Sequence, residues 1–198
     1  MNSSALVRSL TGRSRGPQQL AAVSARRADA LRCPLLTTLG VSRHRSMHIE
    51  SATTTDVPEL TELLSVLFAQ EAEFTPNPEA QRHGLLRIIT NPEVGIVLVA
   101  KEGAAVLGMV NLLYTISTAL GERVALLEDM VVGPEARGAG VGSRLLQEAI
   151  SVAKAAGCRR ITLLTDQANL SAQRFYKQQG FEASTMVPLR LLLASDQS

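Results

Sequence analysis

Three glycines at alternate positions, 138, 140 and 142, lie between an apolar segment and a predicted helix. Glycine permits backbone angles and close approaches that a Cβ atom would block, so successive backbone N–H groups can point at one anion. The helix that follows adds the positive end of its dipole. The loop therefore predicts a binding site for a phosphate or a pyrophosphate.

Two adjacent carboxylates, Glu128 and Asp129, precede this loop within the apolar segment 126–132. Neighbouring side chains on a regular strand point to opposite faces, so only one of the two could line a cleft unless the strand bulges. A carboxylate beside a reacting group can act as a general base. Further along, Tyr176 follows Asn169 by seven residues, or two helical turns, which places both on one side of a predicted helix. The chain thus offers a candidate base and a candidate proton donor.

Two common phosphate-binding loops do not fit the glycine segment. A nucleotide-triphosphatase loop ends in Gly-Lys-Ser/Thr, and a dinucleotide loop requires Gly-x-Gly-x-x-Gly. The segment instead has the pattern Arg-x-x-Gly-x-Gly, formed by Arg137, Gly140 and Gly142. With a strand before it and with Asn169 and Tyr176 after it, this pattern resembles the GNAT superfamily of acyl-CoA-dependent N-acetyltransferases. The resemblance covers roughly residues 48–193.

The resemblance implies an α/β fold with a mixed, mostly antiparallel sheet, a splayed central pair of strands and helices on both faces. It implies acetyl-CoA as co-substrate and no metal. The pyrophosphate would bind the loop, and the pantetheine arm would pair with the backbone of the strand before it. The implied cofactor contacts are Met130, Val131, Val132, Arg137, Gly138, Ala139, Gly140, Val141, Gly142, Ser143 and Asn169.

The same resemblance assigns catalytic roles in an N-acetyltransferase that works by direct attack of a primary amine in a ternary complex. Tyr176 would protonate the leaving thiolate, while Phe175 would pack in the core. Glu128 would act as base or would orient the substrate, as in the diamine and glucosamine-phosphate branches of the family. A structural role for both carboxylates, satisfied by loop amides or by Arg137 or Arg144, remains an alternative.

The acceptor amine is less well defined by the sequence. Residues 48–198 carry a net charge of −5, which favours a small cationic amine that Asp129 and Glu71 could bind. Lysines or amino-terminal amines of proteins are a second acceptor class, and a non-catalytic acyl-CoA-binding subunit is the alternative to an enzyme. The acidity disfavours nucleic acid as a partner, and no segment has the length and apolarity of a membrane span.

The first 46 residues differ in composition from the rest. Residues 1–47 contain eight arginines, no lysine and one acidic residue, a net charge of +7. Segments rich in Arg and Ser and poor in acids are typical of organelle transit peptides. We therefore expect a disordered leader at 1–46 and an acetyltransferase-like domain at 47–198. The expected destination is the mitochondrion; a plastid, or the cytoplasm if Met47 is the true start, are the alternatives.

Hydrophobic periodicity and turn residues predict the elements that would position these groups. The predicted order is a strand at 48–52, a helix capped by Thr55 or Asp56, a helix at 79–90, strands at 94–100, 105–118 and 122–132, a helix at 141–156, a strand at 160–165, a helix from Asn169 to Gln179, and one or two strands at 181–193. Pro188 and the apolar residues 189–193 suggest an edge that a second copy could cover, so a homodimer is possible.

Overall fold

The computed structural model of the protein describes residues 46–70 and 75–193. The predicted leader lies outside these residues except for Ser46, and Glu71 lies outside them as well. The elements are β1 (His48–Ser51), α1 (Val57–Phe68), α2 (Pro78–Ile89), β2 (Gly95–Glu102), β3 (Ala105–Ser117), β4 (Glu122–Val132), α3 (Val141–Ala155), β5 (Ile161–Leu163) and α4 (Leu170–Gln178). Within the described ranges, no helix combines the length and apolarity needed to cross a membrane.

The five strands form one sheet in the order β1-β2-β3-β4-β5. The first four strands pair antiparallel, as expected for consecutive strands joined by short turns, and β5 pairs parallel with β4. A parallel pair requires a crossover connection, which α3 supplies. The mixed, mostly antiparallel sheet predicted from the sequence is therefore present.

Helices cover both faces of this sheet, and each face has its own core. On one face, α1 and α2 pack on residues such as Val97, Val99 and Met109. On the other face, α3 packs on residues such as Val110 and Leu112. The two sets alternate along β2 and β3 because successive strand residues point to opposite faces. We call these the α1/α2 face and the α3 face.

A partly buried ion-pair cluster, in which Asp56 is buried and Glu50 is exposed, joins β1 and β2 to the start of α1. The ammonium of Lys101 lies 2.8 Å from a Glu50 oxygen and 2.7 Å from an Asp56 oxygen. Burial opposes ionisation of Asp56, but hydrogen bonds from Lys101 and Thr53 outweigh it and lower the pKa of that carboxyl. Hydrogen bonds to Asp56 and Glu50 raise the pKa of Lys101. The cluster is therefore fully charged at neutral pH.

The prediction of strands at 181–193 is wrong. These residues form neither strand nor helix, and Leu189 is 96 % exposed. The edge strand β5 offers a ladder of only three residues, and Pro188 cannot donate a backbone hydrogen bond. High β-propensity alone is thus not sufficient to add a strand here. The possible homodimer that was inferred from this segment stays a prediction.

Candidate active site

The sheet opens between β4 and β5. The two strands pair only from Ala125–Ile161 to Leu127–Leu163, whereas β4 continues to Val132 in register with β3. Leu164, the first residue after β5, is 56 % exposed. One edge of residues 128–132 therefore has no strand beside it. This is the splayed pair that the family resemblance implied. The N–H of Gly133 bonds to the Leu107 carbonyl of β3, so the backbone groups of Met130 and Val132, and not those of Val131, point to the open edge. An extended ligand could bond to them there, although Arg137 already donates to the Val132 carbonyl.

A β-bulge lies where the strands separate. Val110 pairs with Met130 and Leu112 pairs with Leu127, so Asn111 alone is opposite both Glu128 and Asp129. The extra residue changes the alternation of β4. Leu127 belongs to the core of the α3 face and Val131 to that of the α1/α2 face, although they are four residues apart. The bulge therefore places both carboxylates on the α1/α2 face, which a regular strand would not do.

Asn111 holds one of these carboxylates. Its Nδ2 donates to Asp129 Oδ2 at 2.8 Å, and its Oδ1 accepts from the backbone N–H of Asp129 at 2.9 Å. Glu128 is exposed, while Asp129 is half-buried. Arg137 and Arg144 instead donate to the carbonyl oxygens of Val132 and Met47. The sequence analysis missed Asn111, although a single amide in the apolar stretch 106–113 was a usable signal.

The glycine loop leads directly into α3. Gly138 and Gly140 have φ angles of +80° and +78°, a region that disfavours other residues, and Gly140 is the N-cap of the helix. The backbone N–H of Arg144 closes the first turn on the Gly140 carbonyl at 3.1 Å. The N–H groups of Val141, Gly142 and Ser143 therefore precede the first intrahelical bond and are available for an anion.

The start of α3 brings the loop, the splayed strand and α4 together. A methyl group added at Gly142 would lie 3.5 Å from Met130 Cε, 3.6 Å from Val132 Cγ2 and 3.8 Å from Phe175 Cζ. These distances are ordinary van der Waals contacts. Predicted cofactor residues of β4 and α3 thus border one region, and Phe175 of α4, which was predicted to pack in the core, lies beside them.

Tyr176 lies against Met130 from the side of α4. Its hydroxyl is 3.9 Å from Met130 Sδ, and its ring contacts Phe175 and Phe181 edge-on at centroid distances of 5.2 and 5.7 Å. Burial raises the pKa of Tyr176 to about 12, so the phenol is protonated at neutral pH. Tyr176 packs on the core of the α3 face, opposite the two carboxylates.

Asn169 has a structural task in addition to any contact with a ligand. Its Oδ1 caps α4 by accepting the N–H of Ala172 at 3.0 Å. The cap fixes the start of the helix that carries Tyr176 two turns later. The Nδ2 group of Asn169 is the remaining donor that a cofactor could use.

A family model described as acetyltransferase (GNAT) family matches residues 57–181, more than half of the chain. The chain belongs to this family. It is 30 % identical over 141 residues to an uncharacterized N-acetyltransferase, YhfO, of Bacillus subtilis, which covers 70 % of this chain and 92 % of that protein. It is 29 % identical over 136 residues to the aminoalkylphosphonate N-acetyltransferase of Salmonella typhimurium, with 69 % and 85 % covered. A transcriptional regulator from Bacillus halodurans C-125 superposes with a TM-score of 0.66 at 28 % identity, over 75 % of this chain and all of that chain.

The GNAT chain is therefore an acyl-CoA-dependent N-acetyltransferase, and the family, fold class and enzyme class predicted from the sequence are confirmed. The fold implies acetyl-CoA as co-substrate, and the site fits it chemically. Ideal Cβ positions at Gly138 and Gly140 meet no atom within 4 Å, so the backbone there is accessible to a phosphate. Among the described residues, no group of three or more His, Cys, Asp or Glu side chains could hold a metal.

Proposed function

We propose that this acetyltransferase moves the acetyl group of acetyl-CoA to the primary amine of a small cationic molecule by direct attack in a ternary complex. The proposal is carried by one observation: the bulge in β4 places Glu128 and Asp129 together on the α1/α2 face at the point where β4 and β5 separate. A pair of carboxylates at the opening favours an ammonium group over an anion. The net charge of −5 on residues 48–198 acts in the same direction.

The chain's own residues account for the proton transfers. An alkylamine is mostly protonated at neutral pH, so it needs a base before it can attack. Glu128 takes the proton of the ammonium group, the freed nitrogen forms a bond to the acetyl carbonyl carbon, and the carbon–sulfur bond breaks. Tyr176 gives its proton to the departing thiolate, and the second proton that the attacking nitrogen must lose on becoming an amide restores the Tyr176 phenol. The backbone N–H groups of Met130 and Val132, which face the open edge of β4, are suited to stabilise the negative charge that develops on the carbonyl oxygen.

The two proton-transfer groups approach the gap from opposite faces of the sheet. Asp129 bonds to Asn111 on the α1/α2 face, with Glu128 beside it, and Tyr176 packs on the core of the α3 face. An amine can therefore enter from one face while the sulfur is protonated from the other. This arrangement keeps the base away from the acid, so the two groups do not neutralise each other directly.

The test is a comparison of acceptors with acetyl-CoA as donor. Spermidine, lysine, glucosamine 6-phosphate, 2-aminoethylphosphonate and a lysine-containing peptide are assayed for thiol release and for the acetylated product by mass spectrometry. We expect a small amine to give the highest kcat/KM, with spermidine favoured by its charge. A peptide preferred over every small amine would contradict the proposed acceptor class.

The role of Glu128 is tested with Glu128→Gln. We expect kcat/KM to fall by about a hundredfold or more, the usual contribution of a general base, and its rise with pH to flatten. Glu148→Gln, at an exposed position of α3, is the matched control and should behave as the wild type. An unchanged pH profile in Glu128→Gln would exclude the base role.

A further inference from the structure

Asn111 is a buried amide in the middle of an apolar strand. It is 2 % exposed, and its neighbours Val110 and Leu112 are fully buried. A buried amide is costly unless its polar atoms are hydrogen-bonded. Asn111 makes two hydrogen bonds to Asp129, one to the backbone and one to the side chain. The cost of burying this amide is therefore offset at a single residue of the candidate site.

The orientation of the amide follows from its partners. A backbone N–H can only donate, so the atom of Asn111 that faces the Asp129 N–H must be Oδ1. The Nδ2 group then faces the Asp129 side chain, whose oxygen must accept. Asn111 thus fixes the position of the Asp129 carboxylate.

The bulge explains why an asparagine is suited to this position. Two residues of β4 face one residue of β3, so the ladder cannot satisfy every backbone group at this point. The Asn111 side chain takes the Asp129 N–H in place of a strand carbonyl. The same contact directs the Asp129 carboxylate to the α1/α2 face, beside Glu128. The Asn111 side chain therefore stabilises the bulge and fixes the Asp129 carboxylate.

We propose that Asn111 is a positioning residue of the acceptor site, which holds the Asp129 carboxylate at the bulge so that Asp129 binds the ammonium group of the acceptor. This inference rests on the proposed function and adds a specificity-determining pair to it. Glu128 remains the base, while Asp129, fixed at two points, supplies a preorganised negative charge. A fixed carboxylate binds a cation more tightly because no side-chain freedom is lost on binding.

The experiment uses spermidine and acetyl-CoA with three variants. Asn111→Leu has a similar shape and removes both hydrogen bonds, whereas Asp129→Asn removes the charge and can retain both bonds. We expect each change to raise the KM for spermidine about tenfold or more, with the KM for acetyl-CoA within twofold of the wild type. The double variant should be no worse than Asp129→Asn, because Asn111 acts through Asp129. Met109→Leu, at a fully buried position of the same strand, is the control.

Additive losses in the double variant, or an unchanged KM for spermidine in Asn111→Leu, would overturn the inference. If Asn111→Leu does not fold, Asn111→Ala replaces it: it also removes both hydrogen bonds, so the KM for spermidine should again rise about tenfold or more. An unchanged KM for spermidine in Asn111→Ala would also overturn the inference.

A substrate-free measurement separates this inference from the proposed function. The carboxyl ¹³C chemical shift of Asp129 is measured at neutral pH in the wild type and in Asn111→Leu, and the loss of the hydrogen bond should change it. An identical chemical shift in both proteins would refute the role of Asn111. A wild-type enzyme that acetylates no small amine would refute the proposed function, and the chemical shift would still decide whether Asn111 positions Asp129.

Discussion

Replacing Tyr176 by Phe should lower turnover strongly while changing the stability of the fold very little. The hydroxyl donates to the sulfur of Met130 at 3.9 Å, and a thioether is a weak acceptor. Removing a poorly bonded hydroxyl from a half-buried position costs little, so we expect the free energy of unfolding to change by less than about 1 kcal/mol. For a domain of this size that is a shift in Tm of about 2–4 °C at most.

The effect on turnover should be much larger. Loss of a general acid lowers kcat by about 10²–10⁴-fold, which corresponds to roughly 2.7–5.5 kcal/mol of barrier. The phenol has a pKa of about 12, above the ordinary thiol value near 8.5. Proton transfer from the phenol is therefore favourable only if the thiolate is also removed from water, because burial raises the pKa of the thiol as well. The phenol should donate at the moment of bond cleavage and not before.

The assay measures kcat and both KM values by thiol release, with thermal unfolding of the same samples. Tyr114→Phe is the matched control, because Tyr114 is the other tyrosine of the chain and lies on β3, under the Arg123 guanidinium at 5.1 Å. We expect Tyr114→Phe to retain wild-type kcat and Tyr176→Phe to retain the KM for acetyl-CoA. A kcat within threefold of the wild type in Tyr176→Phe would refute the assignment. Because the raised pKa keeps the phenol protonated, its ionisation should cause no fall in wild-type kcat below about pH 10.

Three further predictions concern the loop, the ion-pair cluster and the carboxyl end. Gly140→Ala, at φ +78°, should raise the Kd for acetyl-CoA at least tenfold in calorimetry, whereas Gly84→Ala in α2, which has open space around its Cβ, should not. Lys101→Met should lower the free energy of unfolding by about 3 kcal/mol at pH 7, measured with urea, because it leaves Asp56 without its counter-ion. In the wild type the pKa of Asp56 is lowered, so its stabilisation should be present above about pH 4 and be lost as pH falls through the folded-state pKa. Equal stability of both proteins at pH 7 would contradict the pairing. If the exposed apolar residues 186–193 are covered by a second copy, the wild type should be a dimer by light scattering and Leu189→Asp with Leu191→Asp a monomer; a monomeric wild type would exclude this.

Most elements of the fold could be predicted from the sequence because their hydrophobic patterns agree with their capping and turn residues. Asn169 caps the helix that it was predicted to begin, and the strand at 122–132 has the predicted bounds. The glycine loop before α3 was predictable for the same reason, since positive φ angles at Gly138 and Gly140 are a local requirement. Structural features that depend on one segment of the chain can be predicted from the residues of that segment.

The bulge was not predictable, because it is a relation between two strands. In β4 alone, residues 127 and 131 are both apolar and would share a face in a regular strand. Only the pairing with β3 shows that they occupy different cores and that Asn111 is opposite two residues. The failure at 181–193 has a similar origin, since a strand needs a partner edge and β5 pairs over three residues.

These two non-local features determine how the acetyltransferase can use its carboxylates. Without the bulge, Asp129 would point to the α3 face, where Tyr176 and Met130 pack, and its charge would be desolvated beside the phenol. A carboxylate there would favour retention of the phenolic proton and so would weaken Tyr176 as an acid. With the bulge, the negative charges lie on the face where the proposed cationic amine must lose its proton. The α3 face keeps the uncharged phenol of Tyr176, which would protonate the thioester sulfur. The single extra residue in β4 thus places the proposed base, Glu128, and the proposed acid, Tyr176, on opposite faces of the sheet.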